Sequence, residues 1–360
     1  MGKGLPIAVL CALPVVACAA LLRVDDVGYG GADASAFGDA GDAGDAGDAG
    51  DADDGAACAL TRLYAVGGQD STGDASASVF DAEIPCDGGG PGAWTSPTSL
   101  PQPVLNHALA FSGGILFSIG GENNDTVTSP SYSAPVDDAG VIGAWSTLPN
   151  PEGRRRGFVQ VGDGAYLVGG DEGSVVSTAV LFASSDRGAL ALRDAGALPE
   201  GRDRAGTCAS EGRLFVVGGA GADKLAHEQV WSAAIGPDGN VGAFIDAGVL
   251  PEKMYEPAAV ALHGFLVVIE HDAPSAYTAR IRGDGTLEPW SGAVAARRGV
   301  PPAATVAFGD RVYAIGGQTG NGTVTVSDVS IGSVDVTGVL TWQSAQPLPD
   351  ARTELRLLAH

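Results

Sequence analysis

The chain has 360 residues, of which 45% are hydrophobic and 18% are charged, so it holds enough apolar material for a folded core. Its 43 acidic and 20 basic residues give a net charge of -23, and such a surface repels the phosphate backbone of nucleic acids. We therefore expect no nucleic-acid partner. The 55 glycines are about twice the usual share, which predicts many short strands joined by turns.

The first residues have the pattern of a secretory signal. Lys3 precedes a continuous apolar run over residues 5–17, which is too short to cross a bilayer as a helix. The sequence Val15-Val16-Ala17-Cys18 resembles the lipobox of bacterial lipoproteins. That resemblance implies a signal peptide over residues 1–17, cleavage before Cys18 and a lipid on the Cys18 thiol. The alternative is ordinary secretory cleavage beside an incidental cysteine.

Residues 18–57 form a low-complexity segment. Ten aspartates lie between Asp25 and Gly55 in a Gly-Asp-Ala pattern of period three, with almost no side chain to bury. This composition predicts a disordered tether. Specific calcium binding is the alternative, but an EF-hand loop needs a different spacing of acidic residues, so we expect no metal here.

The remainder of the chain, 58–360, repeats a short apolar strand that ends in two glycines. The five clear copies are 63–68, 116–121, 165–170, 214–219 and 312–317. The gap of twice the usual step between the last two predicts a sixth copy. It is found at Phe265 to Glu270, with Ile269 and Glu270 expected in the places of the glycines.

An aromatic residue follows each of these strands at a nearly constant distance, and a loop containing Leu-Pro follows in most copies. The aromatic residues are Trp94, Trp145, Phe244, Trp290 and Trp342. Leu192 is expected to replace the aromatic residue in the third copy. Two further apolar segments complete each repeat, which predicts four strands per repeat. Such a unit cannot bury its own core and must stack on copies of itself.

The paired glycines, the fourth-strand aromatic residue and an arginine before the next first strand resemble kelch repeats. The resemblance implies an all-β, six-bladed β-propeller of four-stranded blades. The last ten residues, ARTELRLLAH, have the pattern of a first strand with no second strand after it. We expect this strand to close the ring by completing the first blade. The alternative is that residues 57–60 supply that inner strand.

One face of such a propeller collects the loops after the glycines and the loops before each first strand. Candidate residues before the first strands are Asn106, Arg155, Arg204, Tyr255 with its neighbour Glu256, and Arg352 as the equivalent in the closing strand. Candidates in the loops after the glycines are Glu122, Asp171, Asp223, Glu270, His271 and Gln318. Together they form a predicted binding rim for a polyol, a sugar acid or a peptide. In the simpler interpretation the arginines brace loops and the carboxylates keep the surface soluble.

The sequence lacks the motifs of hydrolases and nucleotide-binding enzymes, and its five histidines are scattered. We therefore favour a monomeric binding module for a glycan or an envelope protein, held outside the cytoplasm by its lipid anchor alone, in the periplasm, on the outer membrane or at the cell surface. We expect no cofactor and no metal. The copper site of the related galactose oxidases has no counterpart here.

Two alternatives remain for the function. The chain is also similar to six-bladed kelch sugar mutarotases that act on sialic acid, which implies an acid/base role for Glu256 or Glu270 facing Arg155 and Arg204. The other alternative is a structural envelope protein without a ligand.

The cysteines divide by location. Outside the cytoplasm a disulfide is permitted, and Cys58 and Cys86 belong to the same repeat, so they are the expected pair. Cys208 lies in an apolar segment and is expected to be a buried free thiol. Other pairings stay open.

Overall fold

The computed structural model describes residues 61–85, 89–124, 130–149, 156–173, 175–270, 275–295, 303–319 and 324–360. Throughout these ranges the regular secondary structure is β-strand, in agreement with the predicted all-β class. The described residues include no helix of the length and apolarity that crossing a bilayer requires. The predicted signal peptide, Cys18 and the tether lie outside the described residues.

The strands are short and follow one another in a regular order. They are β1 (Thr61–Val66), β2 (Val79–Ile84), β3 (Ala108–Ser112), β4 (Ile115–Ile119), β5 (Ser131–Pro135), β6 (Ser146–Leu148), β7 (Gly157–Gln160), β8 (Ala165–Val168), β9 (Ala179–Asp186), β10 (Ala189–Ala197), β11 (Gly206–Ser210), β12 (Arg213–Val217), β13 (His227–Ala234), β14 (Ile245–Met254), β15 (Ala258–Leu262), β16 (Phe265–Ile269), β17 (Ser275–Arg280), β18 (Val294–Ala295), β19 (Ala304–Phe308), β20 (Arg311–Ile315), β21 (Gln318–Thr319), β22 (Val324–Thr325), β23 (Val329–Val334), β24 (Leu340–Ser344) and β25 (Arg356–Ala359).

These strands form six antiparallel blades, as predicted. Blades 2 to 5 take four consecutive strands each, from β3 to β18, and blade 6 consists of β19, β20, β23 and β24. The hairpin of β21 and β22 projects from blade 6 as a separate small sheet. Blade 1 contains β25, β1 and β2, and its fourth strand is reduced to a single bridge between Asp81 and Thr95.

The ring is closed by the C-terminal strand. β25 pairs with β1 along Leu63–Val66, and the six first strands contact one another in sequence around the centre, with β25 between β19 and β3. Leu357 packs into the core between blades 6 and 1, and Leu358 packs into the core between blades 1 and 2. Burial of each leucine side chain contributes about 1.5–3 kcal/mol to the stability of the fold. The closing strand therefore stabilises the contacts of blade 1 with both blade 6 and blade 2.

The paired glycines connect a blade to the loop that leads into the next one. The N–H of Gly170 donates to the carbonyl of Arg202 at 2.7 Å, in the loop that leads into blade 4. The N–H of Gly317 makes the same bond to Arg352 at 2.8 Å, which ties blade 6 to the closing strand. Gly169 has a φ of 61°, and a methyl group there would overlap the Arg202 carbonyl oxygen. The first glycine is therefore required both for its left-handed backbone and for the close approach of the next loop.

The expected register of the fifth repeat is wrong by one residue. Ala258 pairs with Ile269 in the same way that Gly206 pairs with Val217, so Ile269 is the last residue of its strand. Glu270 takes the place of the first glycine, and its N–H donates to Ser275 at 2.9 Å as Gly218 donates to Gln229. Blade 5 has Glu270-His271 where the other blades have two glycines. Without a glycine to count from, the sequence did not indicate the correct register of this strand. The second residue of this pair, His271, lies outside the described residues.

The alternating strand directions give the propeller two different faces. The loops after the glycines and the loops before the first strands lie together on one face, which we call the diglycine face. The opposite face carries the turns between first and second strands and between third and fourth strands. Tyr64 donates across blades to the carbonyl of Gly140 at 2.8 Å in one of these turns, and Tyr166 does the same to Gly239. These hydrogen bonds join neighbouring blades, so the opposite face helps to stabilise the ring.

Candidate functional site

A cavity of about 950 Å³ runs along the centre of the propeller. Its wall consists of the first strands of blades 3 to 6 and of the closing strand of blade 1. Small residues dominate the start of these strands, since Gly157, Gly206, Ala258 and Ala304 all line the cavity and occupy equivalent places in the sheets. The small side chains at these four positions leave space at the centre of the ring.

Charged residues surround the end of this cavity at the diglycine face, which we call the mouth. Leu105, Asp203 and Thr353 each form an isolated β-bridge with the residue that follows a glycine pair. The next residues in the chain, Asn106, Arg204 and Glu354, therefore occupy equivalent positions. All three have a φ between 51° and 55°. By the corrected register of blade 5, Glu256 is their equivalent there.

Two of the rim assignments therefore change. Tyr255 precedes the blade 5 position, which Glu256 occupies, and Arg352 is not the closing-strand equivalent of Asn106 because Glu354 is. The carbonyl of Arg352 accepts from Gly317 as that of Arg202 accepts from Gly170, so these two arginines are equivalent to each other. The expected equivalence failed because the closing strand has no glycine pair of its own from which to count.

Arg352 is a bracing residue. Its side chain is 8% exposed, and its guanidinium donates to the hydroxyl of Ser78 at 3.0 Å. Arg202 makes comparable contacts in blade 4, where it lies over the Trp231 ring and donates to Nδ1 of His227 at 3.1 Å. The simpler interpretation of the rim arginines applies to Arg352, which holds blade 1 to the loop before it.

Arg204 and Glu256 face each other at the mouth. Nε of Arg204 lies 4.0 Å from a carboxylate oxygen of Glu256, and the two side chains are 17% and 21% exposed. The guanidinium carbon of Arg204 also lies 4.9 Å from the centre of the Tyr255 ring. In the described part of the chain, Nε of Arg204 has no hydrogen-bond partner. The pair is close enough for attraction but too far apart for a charge-assisted hydrogen bond.

Arg356 adds a third charge to the mouth. It occupies the first position of the closing strand, the equivalent of Gly206 and Ala258 in other blades. Its Nε donates to the carbonyl of His107 at 2.8 Å. Burial lowers the pKa of its guanidinium, while the carboxylates of Glu256 and Glu354 act in the opposite direction. Arg356 and Glu256 both line the cavity, so the closing strand of blade 1 adds a guanidinium to the end that holds the Arg204–Glu256 pair.

The blade 2 side of the mouth is held by amide and carboxylate contacts. Asn106 donates from Nδ2 to Glu122 at 2.8 Å and to Glu354 at 3.2 Å. The ring of His107, next to Asn106, is completely buried between blades 1 and 2. Burial and the nearby Arg356 charge hold the pKa of His107 well below its usual value, so it is neutral.

Three further rim candidates among the described residues, Asp171, Asp223 and Gln318, do not line the cavity. Asp171 is buried and accepts from the N–H of Gly173 at 2.7 Å. Asp223 accepts from the N–H of Leu225, and this bond and the contact with His227 lower the pKa of its carboxyl. Gln318 lies in the β21–β22 hairpin, where it pairs with Thr325.

Glu270 lies near a tyrosine in blade 5. A hydrogen bond from the Tyr277 hydroxyl to Glu252 at 2.5 Å, together with burial and the Glu270 charge, raises the pKa of Tyr277 to about 12. This tyrosine is therefore protonated at neutral pH and acts as a donor.

Several predicted residues lie outside the described part of the chain. These are Arg155, His271, Cys18, Cys58 and Cys86. Cys208 is a buried free thiol, as expected. Among the described residues no group of three potential ligands has the spacing of a metal site.

Comparisons with known proteins agree with the repeat pattern. The sequence is 31% identical over 170 residues to human (Homo sapiens) Kelch-like protein 34, in a match that covers 39% of this chain. The chain is a kelch-repeat β-propeller. It spans about a quarter of the length of that curated relative (25%). No protein-family model matches the sequence.

A solved structure, described as the structure of YjhT, shares the fold. It superposes on this kelch propeller with a TM-score of 0.59 and 14% sequence identity, over 78% of this chain and 96% of the other. At this identity the likeness concerns the architecture. The chemistry of the site rests on the residues at the mouth of this kelch propeller.

Sequence reasoning did not identify Arg356 or Glu354 as residues of the mouth. A signal was present in the sequence, because the apolar pair Leu357-Leu358 aligns with the apolar positions of the other first strands. That alignment places Arg356 where the other blades have glycine or alanine.

Proposed function

We propose that this kelch propeller is a binding module that uses the mouth of its central cavity to hold a glycan or a protein partner of the cell envelope. A lipid on Cys18 would anchor the chain outside the cytoplasm, with residues 18–57 as the tether. The observation that carries the binding role is the group of Arg204, Glu256 and Arg356 at the open end of the cavity. Charged groups that converge in a concave site with incomplete hydrogen bonding are typical of binding sites.

The cavity and its charges suit a polar ligand of moderate size. A volume of about 950 Å³ lies within the range of known small-molecule sites. The guanidinium groups offer paired donors for carboxylates and hydroxyls, and Glu256 offers acceptors for hydroxyl or ammonium groups. A sugar or the end of a peptide chain meets both requirements.

The binding role is tested by thermal unfolding of the purified protein with neutral sugars, uronic acids and short peptides. A ligand at 100 times its Kd stabilises the folded state by about 2.7 kcal/mol, which raises the melting temperature by a few degrees. The double variant Arg204→Ala/Glu256→Ala should lose this shift.

A matched control removes an ion pair on the opposite face. Asp310 and Arg311 interact at 2.8 Å in the turn between β19 and β20, and Asp310→Ala/Arg311→Ala should keep the ligand-dependent shift. A shift that survives in the mouth variant places the ligand elsewhere. If no compound of any class changes the melting temperature, the structural alternative without a ligand gains support.

The lipid anchor is tested separately in a bacterial host. Metabolic labelling with an alkyne-bearing fatty acid should label the wild-type protein and leave Cys18→Ala unlabelled. Labelling of the Cys18→Ala variant, or a wild-type protein without label in the membrane fraction, contradicts the anchor.

A sugar-mutarotase role is a second candidate, favoured by the approach of Arg204 to Glu256 at 4.0 Å. In that role the Glu256 carboxylate would take the proton of the anomeric hydroxyl while water protonates the ring oxygen and the ring opens, and the reverse transfers would close it as the other anomer. Arg204 would hold the sugar. The test is the rate of sialic-acid mutarotation, followed by NMR, with wild-type protein and with Glu256→Gln. A wild-type rate equal to that of buffer excludes this activity and leaves the binding role intact.

A further inference from the structure

The charges of the mouth are divided between two signs, and this division restricts the chemistry of a ligand. Among the described residues of the mouth, Arg204 and Arg356 supply two guanidinium groups, whereas Glu256 and Glu354 supply two carboxylates. Arg156 also lines the cavity, but its guanidinium is paired with Glu172 at 3.1 Å. Arg204, Glu256 and Arg356 all line the cavity. Asn106 contacts both Glu354 at 3.2 Å and Arg356 at 3.5 Å, so the four charged groups lie in one partly buried space where their charges affect one another. A purely anionic ligand would face two carboxylates, and a purely cationic ligand would face two guanidiniums.

The guanidinium groups of Arg204 and Arg356 do not use all of their hydrogen-bond donors on the neighbouring carboxylates. A guanidinium has five N–H donors, yet among the described residues Arg204 makes only a 4.0 Å approach to Glu256 and a ring contact with Tyr255. Arg356 donates to the main-chain carbonyls of His107 and Leu355 and reaches Asn106 Oδ1 only at 3.5 Å. In the described residues it has no carboxylate within ion-pair distance. Polar groups buried to this extent are normally hydrogen bonded, so the mouth has donors available for a ligand.

The neighbouring wall leaves space for such a ligand. The positions equivalent to Arg356 are Gly206 in blade 4 and Ala258 in blade 5, which begin their strands two residues after Arg204 and Glu256. Both line the cavity. Large side chains at these positions would fill the gap between the two blades and the closing strand.

We propose that the mouth binds a small zwitterion that carries an amino group and a carboxylate a few bonds apart. This inference rests on the proposed binding function and names its ligand chemistry. The carboxylate lies between the guanidiniums of Arg204 and Arg356, and the ammonium group lies against Glu256. Each charge of the ligand then meets its opposite, and the donors that Arg204 leaves unused are occupied. An amino acid or the ends of a short peptide have this chemistry, and so does an amino-sugar acid.

The test is calorimetric titration of the full-length protein with matched compounds. One arm compares alanyl-alanine with its N-acetyl and C-amide derivatives, and the other compares muramic acid with N-acetylmuramic acid. Removal of one charge should weaken binding by about tenfold or more, the equivalent of one charge-assisted hydrogen bond. The arm with the lower Kd identifies the peptide or the sugar source.

Two variants assign the charges to their partners. Glu256→Gln keeps the size of the side chain, and it should bind the free amine and its N-acetyl derivative equally. Arg356→Gln should reduce the preference for the carboxylate over the amide, because Arg204 then holds the carboxylate alone. Asp310→Ala/Arg311→Ala on the opposite face should bind like the wild type, and melting curves check that each variant is folded.

The results distinguish this inference from the binding role itself. If the N-acetylated or amidated compounds bind as tightly as the zwitterions, and binding still requires Arg204, the zwitterion inference is wrong and the binding role stands. Absence of heat from both zwitterions at about 10 mM, where even millimolar affinity is detectable, also overturns it. Unchanged discrimination in Glu256→Gln has the same consequence.

Discussion

His107 is a completely buried histidine whose ring nitrogens have no hydrogen-bond partner among the described residues. Its ring lies against Gly67, the first glycine of the blade 1 pair, and its main-chain carbonyl accepts from Arg356. The residue therefore connects the blade 1–2 core to the mouth. Its pKa is held well below the ordinary value by burial and then by Arg356.

This lowered pKa predicts a loss of stability in mild acid. Below about pH 6.5 the unfolded chain takes up a proton at His107 and the folded chain does not, so stability falls as the pH falls. The expected loss through this group is up to about 2 kcal/mol between pH 6.5 and 5.0. Urea unfolding at the two pH values measures it.

The control for this prediction is His107→Leu, which keeps an apolar side chain of similar size in the core. Its free energy of unfolding should depend less on pH than that of the wild type over this range. The burial of His360 also lowers the pKa of that residue, and this contribution is the same in both proteins. Equal pH slopes in wild type and variant would contradict the assignment to His107.

Cys208 allows a second prediction at the residue scale. Burial raises the pKa of its thiol far above the ordinary value, so almost no reactive thiolate exists in the folded state. Iodoacetamide at pH 8 should modify Cys208 only after unfolding, as read from peptide mass spectrometry. Rapid modification of the native protein at this site would show that the strand β11 opens.

At the residue scale the sequence predicted more of the scaffold than of the mouth. The expected replacement of the aromatic residue by Leu192 is confirmed, since Leu192 pairs with Ala183 as Trp342 pairs with Gly332. Arg356 and Glu354 were missed because their role depends on the register of β25 against β1, which lies almost 300 residues away in the chain. The apolar pair Leu357-Leu358 could have located them by alignment with the other first strands, but this strand lacks the glycine pair from which the other positions were counted.

The glycine pairs are the elements that connect one blade to the next. Their recurrence predicted the six blades correctly, because a left-handed backbone beside an incoming loop has few substitutes for glycine. Where the pair is lost in blade 5, the prediction of register failed by one residue. The strand itself was still recognisable from its apolar pattern.

This role predicts unequal effects of two alanine substitutions. Gly169→Ala should destabilise the protein by about 2–4 kcal/mol, because left-handed strain adds to overlap with the Arg202 carbonyl. Gly212→Ala has a similar φ of 69° but open space around it, so it should cost only about 1–2 kcal/mol. Equal losses in denaturant unfolding would show that backbone strain alone accounts for the glycine.

At the scale of the whole molecule, closure of the ring by β25 stabilises the fold and completes the mouth of the cavity. β25 contributes Arg356 to the mouth and Leu357 and Leu358 to two different cores. The last ten residues were predicted to close the ring, and the pairing of β25 with β1 confirms it. The mouth is therefore complete only while the closing strand is in place.

Replacement of both leucines tests this coupling. Leu357→Ala/Leu358→Ala should lose at least about 4 kcal/mol, from two buried leucines at 2–5 kcal/mol each. Val336, which is 85% exposed, is the control, and Val336→Ala should unfold like the wild type. A loss below about 1 kcal/mol in the double variant would mean that the ring is stable without its closing strand.

Hydrogen exchange of the native protein, read peptide by peptide, tests most directly whether a closed ring supports the mouth. The amides of β25 should exchange as slowly as those of β1, through the same global opening as the first strands of the other blades. Rapid exchange of residues 356–359 beside protected first strands in blades 2 to 6 would contradict the account. In that case Arg356 and Glu354 would not be held at the mouth, and the binding site proposed there would lose its blade 1 side.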